Sequence, residues 1–314
     1  MEAIIVPEHE AGERLDAWLV MRFPERSRSL FQKLIKAGAV SVNGNPGKAN
    51  TVLKESDAVT VASVSTSHKN ARPDDSVIDV KVVDETEDYF VVEKPAGLLV
   101  HPAPNQKAGT LVDFILKHDP KITGVGEAAE RPGIVHRLDR EASGLMVIAK
   151  NQGSFEDLKR QFKEHSIKKE YLALVTGKMV KDTDVVETPI GRKKGKGRMS
   201  ARSKPKEGDK EARSIYDVVE RFPHASLVKI VTETGRMHQV RVHMKSLGHP
   251  LVGDALYGSD WKSSPSLGGV PRLFLHAATL GFNDLGGAWQ EYHSALAPDL
   301  AGFLESLQRR HAKK

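Results

Sequence analysis

The sequence predicts an α+β protein in two units: a small one of two helices followed by short strands, and a large one built on a mixed β-sheet. Three observations predict it. Apolar residues recur at helical spacing near the N-terminus, first Leu15, Trp18 and Leu19, then Leu30, Phe31, Leu34 and Ile35. The stretch SVSTSHKNARPDDS, residues 63–76, is polar, lacks apolar periodicity and reads as a linker. Beyond it, apolar runs of strand length outnumber helical segments. The expected domains are therefore 1–63 and 77–314, joined by 64–76.

In the small unit Ser27 or Ser29 is positioned to cap the second helix, and Gly38 to end it. Val40 and Val42, the turn Asn43-Gly44, then Val52, Val59 and Val61 predict short strands. In the large unit strands are expected over 77–83 and 89–92, broken by Glu93-Lys94-Pro95-Ala96-Gly97. Short helices are expected at 110–117 and at 154–165, the latter with Phe155, Leu158 and Phe162 on one face. Ile134-Val135 and the run from Leu145 read as strands flanking an exposed loop. Residues 171–175 and 227–231 also read as strands, and 234–244 reads as strand-like alternation. Gly253-Asp254 and Tyr257-Gly258 are expected to form a turn, with Asp254 in an architectural role.

Composition narrows the chemistry. The chain has 314 residues, 39% hydrophobic and 28% charged, with net charge +6 and no cysteine. Disulfides, thiol nucleophiles and cysteine zinc sites are excluded. The basic balance, with a pI near 9.2, favours an anionic partner. The N-terminal MEAIIVPEHEAGERLD lacks an apolar core of signal-peptide length, and no apolar run reaches the roughly 18 residues of a membrane span. A cytoplasmic protein is expected.

Positive charge is segregated in two places. Between Arg14 and Lys54 eight Lys/Arg face only Asp16 and Glu25. Arg192 to Lys206, RKKGKGRMSARSKPK, holds eight Lys/Arg and no acid. Its glycines and proline argue against a helix. It is a solvated loop or an arm that orders on RNA, and the arm predicts a strong salt dependence of binding. The segment GIVHRLDREASGLMVIAK, residues 133–150, sets one carboxylate, Asp139, between Arg137 and Arg140. A loop carboxylate among cations suits chemistry on an anionic substrate, although a salt-bridged surface turn looks the same. His238, His243, His249 and His276 lack the spacing of a helical metal pair, so no metal is expected.

Two resemblances follow from these motifs. RLDAWL with SRSLFQKLIKAGAVSVNG, over about residues 12–62, resembles the small RNA-binding domain first described in small-subunit ribosomal protein four, here called S-four-like. It implies that Arg26, Arg28, Lys33 and Lys36 contact RNA phosphates. EKPAGLLVHP (93–102), HRLDREASGLMVIAK (136–150), KKEYLALVTG (168–177), TGRMHQVRVHM (234–244) and GHPLVGDALYG (248–258) together resemble the pseudouridine synthases of ribosomal or transfer RNA, in the branch named for the large-subunit rRNA enzymes. The resemblance runs over about 77–300. It implies a mainly antiparallel mixed sheet in the catalytic domain. It also implies Asp139 as the catalytic aspartate, Tyr171 as the stacking partner of the target base, Arg236 as the partner of Asp139, and Arg137 as the residue entering the RNA. His136, Lys94, Gln239 and Arg241, in the same motifs, are further candidates for substrate contact. The motifs depart from the family at Ala142, where threonine is expected, and at Met237, where threonine or serine is expected.

The implied reaction detaches uracil from its ribose, turns it and reattaches it through carbon, without redox change. No cofactor is expected, the partner is RNA (ribosomal, with transfer RNA as the alternative), and the protein is expected to be a monomer. A single ionised carboxylate can carry such a reaction through a covalent intermediate, and an aromatic platform recovers part of the cost of extruding the base. Two other functions stay open. A non-catalytic RNA-binding or ribosome-assembly factor would lack one of Asp139, Tyr171 and Arg236. A glycoside hydrolase would need a second paired carboxylate.

Overall fold

The computed structural model describes residues 3–23, 31–32, 34–35, 38–61, 79–102, 108–193, 198–258 and 260–312. The expected cap at Ser27 or Ser29, the phosphate contacts of Arg26, Arg28, Lys33 and Lys36, and the linker 63–76 lie outside the described residues. The chain divides into two compact units, Met1–Asp75 and Ser76–Lys314.

In the small unit a helix spans Leu15–Arg22. Its Leu15, Trp18 and Leu19 are fully buried against Phe31 and Ile35, so the helical spacing in the sequence was the core face. Phe31, Gln32, Leu34 and Ile35 are helical. Gly38, at φ +73°, ends that turn, its N–H and that of Ala39 donating to the carbonyls of Ile35 and Leu34. Strands β1 (Ala3–Ile5), β2 (Val40–Val42), β3 (Asn45–Pro46) and β4 (Ala58–Val61) form a sheet in the order β1-β4-β2-β3. Asn43 and Gly44 both take positive φ, the turn that Asn-Gly favours between paired strands. Asp16 is buried. It accepts from Arg14 Nε at 3.1 Å and Gln32 Nε2 at 2.9 Å, so it holds the helices together rather than offsetting surface charge.

The large unit carries a nine-stranded sheet. Its strands are β5 (Lys81–Glu85), β6 (Tyr89–Lys94), β7 (Ser143–Ala149), β8 (Lys168–Thr176), β9 (Thr183–Val186), β12 (Ser214–Phe222), β13 (Ala225–Thr232), β14 (Leu275–Asn283) and β15 (Trp289–His293). Between β9 and β12, β10 (Ile190–Arg192) and β11 (Met199–Ala201) make a separate hairpin. The sheet order is β5-β6-β7-β14-β8-β13-β12-β9, with β15 beside β14. Only β7 and β14 run parallel, which gives the mixed, mainly antiparallel sheet. All seven residues of β7 are buried. Gly144 passes so close to β14 that a Cβ there would lie 2.2 Å from the Ala277 carbonyl oxygen.

Helices lie at Leu111–His118, Gln152–Glu164, Gln239–Ser246 and Pro298–Ala312. Asn151 caps the second, its side chain accepting the Ser154 N–H at 2.9 Å, while Phe155 and Leu158 are buried beneath it. No helix among the described residues is long and apolar enough to cross a membrane.

Three segments differ from expectation. Residues 234–244 are not a strand: Gln239–Ser246 is a helix, ended near Gly248 at φ +85°. Gln239 to Met244 are all buried, so the apolar residues show no single helical stripe and mimic alternation. Ile134 and Val135 are not in a strand either. They run along the part of β7 beyond its pairing with β14, where an isolated bridge joins Ile134 to Ile148, Ala149 N–H donates to the Gly133 carbonyl and Val147 N–H to the His136 ring. A side chain thus takes the place of a strand partner. The basic run 192–206 begins in β10 and passes through β11, with Lys193 N–H donating to the Arg198 carbonyl.

Candidate active site

Asp139 sits on the loop entering β7, beside a cavity of about 630 Å³ in the large unit. Residues from this loop, from β8 (Lys169, Tyr171), from the end of β13 (Thr232) and from the 234–241 segment line it. β7, β14 and β8 are neighbours in the sheet, which brings Asp139 and Tyr171 to one cavity from positions far apart in sequence.

The partner of Asp139 is Arg241. Its Nη1 donates to Asp139 Oδ2 at 3.0 Å. Its Nε and Nη2 donate to Asp254 Oδ2 and Oδ1, both at 2.8 Å, a two-pronged clamp suited to a planar guanidinium. Asp254 also accepts the backbone N–H groups of Leu256 and Tyr257 at 2.9 Å each. Burial acts to raise the Asp254 pKa. Arg241 and these N–H donors outweigh it, and the carboxyl is held below its ordinary range. Asp254 is therefore architectural, as expected from its turn. It aims the guanidinium that aims Asp139.

Arg236 does not pair with Asp139. Its Nε donates to the Glu211 carbonyl at 2.8 Å, on the cavity wall. The physical reason is the helix at 239–246, which turns Arg241 inward from its first turn while Arg236 stays in the loop before it. Gln239 is no free substrate contact either. Its Oε1 accepts from Thr234 Oγ1 and Arg236 N–H, and its Nε2 donates to the Arg213 carbonyl and Ser214 Oγ, so its polar atoms shape the loop. Lys94 is 1% exposed and contacts no surface. Its ammonium donates to the carbonyls of Pro95, Leu98 and Arg140, tying the 95–98 loop to the Asp139 loop. Burial pushes its pKa down to about 7, partly opposed by Asp139.

Tyr171 is partly buried and packs against two apolar clusters, one containing Ala142 and Leu275 and the other Leu138. Burial, and then the negative charge of Asp139, push its pKa up to about 12, so the hydroxyl stays protonated. His136 stacks on Phe162 with ring centroids 4.6 Å apart, and its Nε2 accepts the Val147 N–H at 3.1 Å. Burial, and then Lys169, lower its pKa to about 3; the ring is neutral and supports β7. Arg137 is exposed at the cavity.

Lys169 and His238 lie in the site without having been singled out for it. Lys169 Nζ is 5.6 Å from the centre of the Phe162 ring, and burial, with Arg236 nearby, lowers its pKa to about 8. His238 Nε2 faces Asp139 Oδ1 at 3.8 Å. Lys169 is readable as the inward neighbour of Tyr171 at period two on β8, whereas His238 needed the helix start to be recognised. The four histidines considered for a metal have protein partners: Tyr257 for His238, Ser214 and the Thr188 carbonyl for His243, the Thr176 carbonyl for His249, and Ser143 and Ser294 for His276.

The arrangement offers one carboxylate with a fixed cationic partner and, on the same cavity of about 630 Å³, an aromatic ring. Comparison with known proteins identifies the family. The family model for RNA pseudouridylate synthase matches residues 88–246, and the model for the S4 domain matches residues 13–59. The chain is 41% identical over 289 residues to an uncharacterised RNA pseudouridine synthase of Aquifex aeolicus, covering 89% of each. It is 36% identical to the ribosomal large subunit pseudouridine synthase D of Nitrosomonas europaea, over 97% of this chain and 87% of that one. Among solved structures, human RNA pseudouridylate synthase domain containing 1 superposes with a TM-score of 0.59 at 26% identity, over 76% of this chain and 97% of that one. This chain belongs to the RNA pseudouridine synthase family and is an RNA pseudouridine synthase with an N-terminal S4 domain.

Proposed function

We propose that the protein isomerises uridine to pseudouridine in large-subunit ribosomal RNA, with Asp139 as the reacting carboxylate acting on an extruded base. The observation that carries this is the Asp139–Arg241–Asp254 chain, in which a single guanidinium orients one partly exposed carboxylate against a second, fully buried one. A carboxylate held this way keeps its direction toward the cavity, and one carboxylate is enough for nucleophilic catalysis.

In the reaction the bond from ribose C1′ to uracil N1 breaks and a bond from C1′ to C5 forms. The hydrogen on C5 leaves to solvent and N1 gains a proton, so the product is an isomer. Asp139 acts at the sugar–base linkage. Oδ2 is occupied by Arg241; among the described residues Oδ1 makes no hydrogen bond, with His238 Nε2 3.8 Å away, so it keeps lone-pair capacity for the substrate. Tyr171 provides an apolar stacking face worth about 1–3 kcal/mol per base against the cost of unstacking. Arg137 enters the space the base vacates, a role that its exposure at the cavity supports. Large-subunit RNA is favoured over transfer RNA because the chain covers nearly the whole of relatives named for that substrate.

The test is tritium release from RNA carrying tritium at C5 of uridine, with large-subunit ribosomal RNA and bulk transfer RNA assayed side by side. Release from ribosomal RNA alone is the expected result. Release from transfer RNA alone would replace the substrate. Binding to both without release from either would point to a non-catalytic assembly factor.

A further inference from the structure

The two oxygens of Asp139 are supported differently. Oδ2 is held by Arg241, while Oδ1 faces His238 Nε2 at 3.8 Å. The His238 ring is fixed from behind, its Nδ1 lying 2.7 Å from Tyr257 Oη. Tyr257 Oη in turn accepts the backbone N–H of Met199 at 2.8 Å. Met199 belongs to β11 and sits opposite Arg192 of β10, inside the basic run.

This chain of contacts assigns the tautomer. Tyr257 is buried, and among the described residues its hydroxyl proton has no acceptor other than His238 Nδ1. With Nδ1 accepting, the proton of the neutral ring is on Nε2, the nitrogen that faces Asp139. Three further observations make the line rigid. Ile190, Met199 and Ala201 of the hairpin pack with Val242 and Tyr257 in one apolar cluster. The Arg241 guanidinium lies 5.0 Å over the Tyr257 ring. His238 holds φ +56°, a left-handed conformation that a histidine adopts only where its surroundings impose it.

We propose that Tyr257 and His238 couple the basic hairpin to Asp139. RNA gripped by the hairpin fixes Met199, Tyr257 and His238 in turn, and the His238 Nε2–H orients the carboxylate oxygen that Arg241 does not hold. Both are positioning residues, acting through Asp139. The proposal rests on Asp139 as the reacting carboxylate, and it assigns to the hairpin a role in the chemical step besides affinity.

The experiment measures single-turnover tritium release at saturating large-subunit ribosomal RNA, with RNA affinity and thermal melting measured separately. Tyr257→Phe deletes only Oη and keeps the ring beneath Arg241. Of the two hydrogen bonds lost with Oη, the one to His238 is expected to slow the saturating rate about tenfold, with affinity within about twofold of wild type. His238→Asn, which tolerates the left-handed backbone, is expected to slow it similarly, and His238→Gln, whose amide reaches further, to recover part of the loss. The double variant Tyr257→Phe/His238→Asn is expected to be no slower than His238→Asn alone. Lys193→Ser with Arg198→Ser is expected to weaken RNA binding. It should also lower the saturating rate about threefold in wild type, and leave it unchanged in Tyr257→Phe. An unchanged saturating rate in Tyr257→Phe, or hairpin and Tyr257 effects that multiply, would overturn the coupling. Absence of release by the wild type itself from every RNA tested would remove the Asp139 assignment, and this proposal with it.

Discussion

Arg241→Lys separates the two arginines that the motif 234–241 offers as partners for Asp139. Arg241 spends three N–H donors on two carboxylates, two on Asp254 and one on Asp139. A lysine ammonium at the same place is a point charge on a flexible stem and reaches one carboxylate or the other. If it stays with buried Asp254, Asp139 loses one charge-assisted hydrogen bond, about 1.5–3 kcal/mol. Expressed wholly in the chemical step, that is about a 10- to 150-fold loss of single-turnover rate at saturating RNA. Asp254 also loses one of its two guanidinium bonds, so the melting temperature falls as well, and the rate must be read well below it. Arg236→Lys removes one bond to the Glu211 carbonyl at a partly exposed site and is expected to slow the reaction less than about threefold. Tritium release by both folded variants, with RNA affinity as a control, decides the matter. A larger loss in Arg236→Lys than in Arg241→Lys would refute the assignment of Arg241.

Three further outcomes are expected. Lys94→Met leaves the carbonyls of Pro95, Leu98 and Arg140 without their donor. The expected loss is about 3 kcal/mol in chemical denaturation, with RNA affinity unchanged, whereas a phosphate contact would show the reverse. Tyr171→Phe keeps the stacking face and is expected to bind RNA as wild type does, while Tyr171→Ala weakens transition-state binding by about 1–3 kcal/mol in kcat/KM. His136 has a folded pKa near 3 against an ordinary 6.5, so the folded state binds fewer protons than the unfolded one between these values. Its contribution to stability is complete above about pH 6.5 and is lost as pH falls toward 3, at up to about 1.4 kcal/mol per pH unit. His136→Gln, whose carbonyl can still accept the Val147 N–H, is expected to flatten the fall of melting temperature between pH 6.5 and 4.5; His101, His238, His243 and His276, whose pKa values burial also lowers, contribute to the part that remains.

Much of this was legible from residue types. The helix at 15–22, the Asn43-Gly44 turn and the helix at 152–164 follow from spacing and caps that act locally. The pairing of β7 with β14 was not legible, because the Gly144–Ala277 approach joins segments more than 130 residues apart. The site was legible in its members and less so in its wiring. Asp139, Tyr171 and Arg241 all stand in the motifs, but choosing between Arg236 and Arg241 required knowing that 239–246 is a helix. With its first six residues all buried, this helix carries no polar stripe to reveal its period. Lys94 shows the same limit in another form. Its charge suggested a surface contact, and only the three carbonyls converging on it explain a buried ammonium.

The most direct test of the central claim is single-turnover tritium release by Asp139→Asn, beside the wild type, from C5-tritiated large-subunit ribosomal RNA. Asparagine fills the same space and can still meet Arg241, so fold and RNA affinity should be retained. Release is expected to fall to background in the variant. Release at the wild-type rate by a folded, RNA-binding Asp139→Asn protein would contradict the claim, and would send the search for the reacting group to another residue of the cavity.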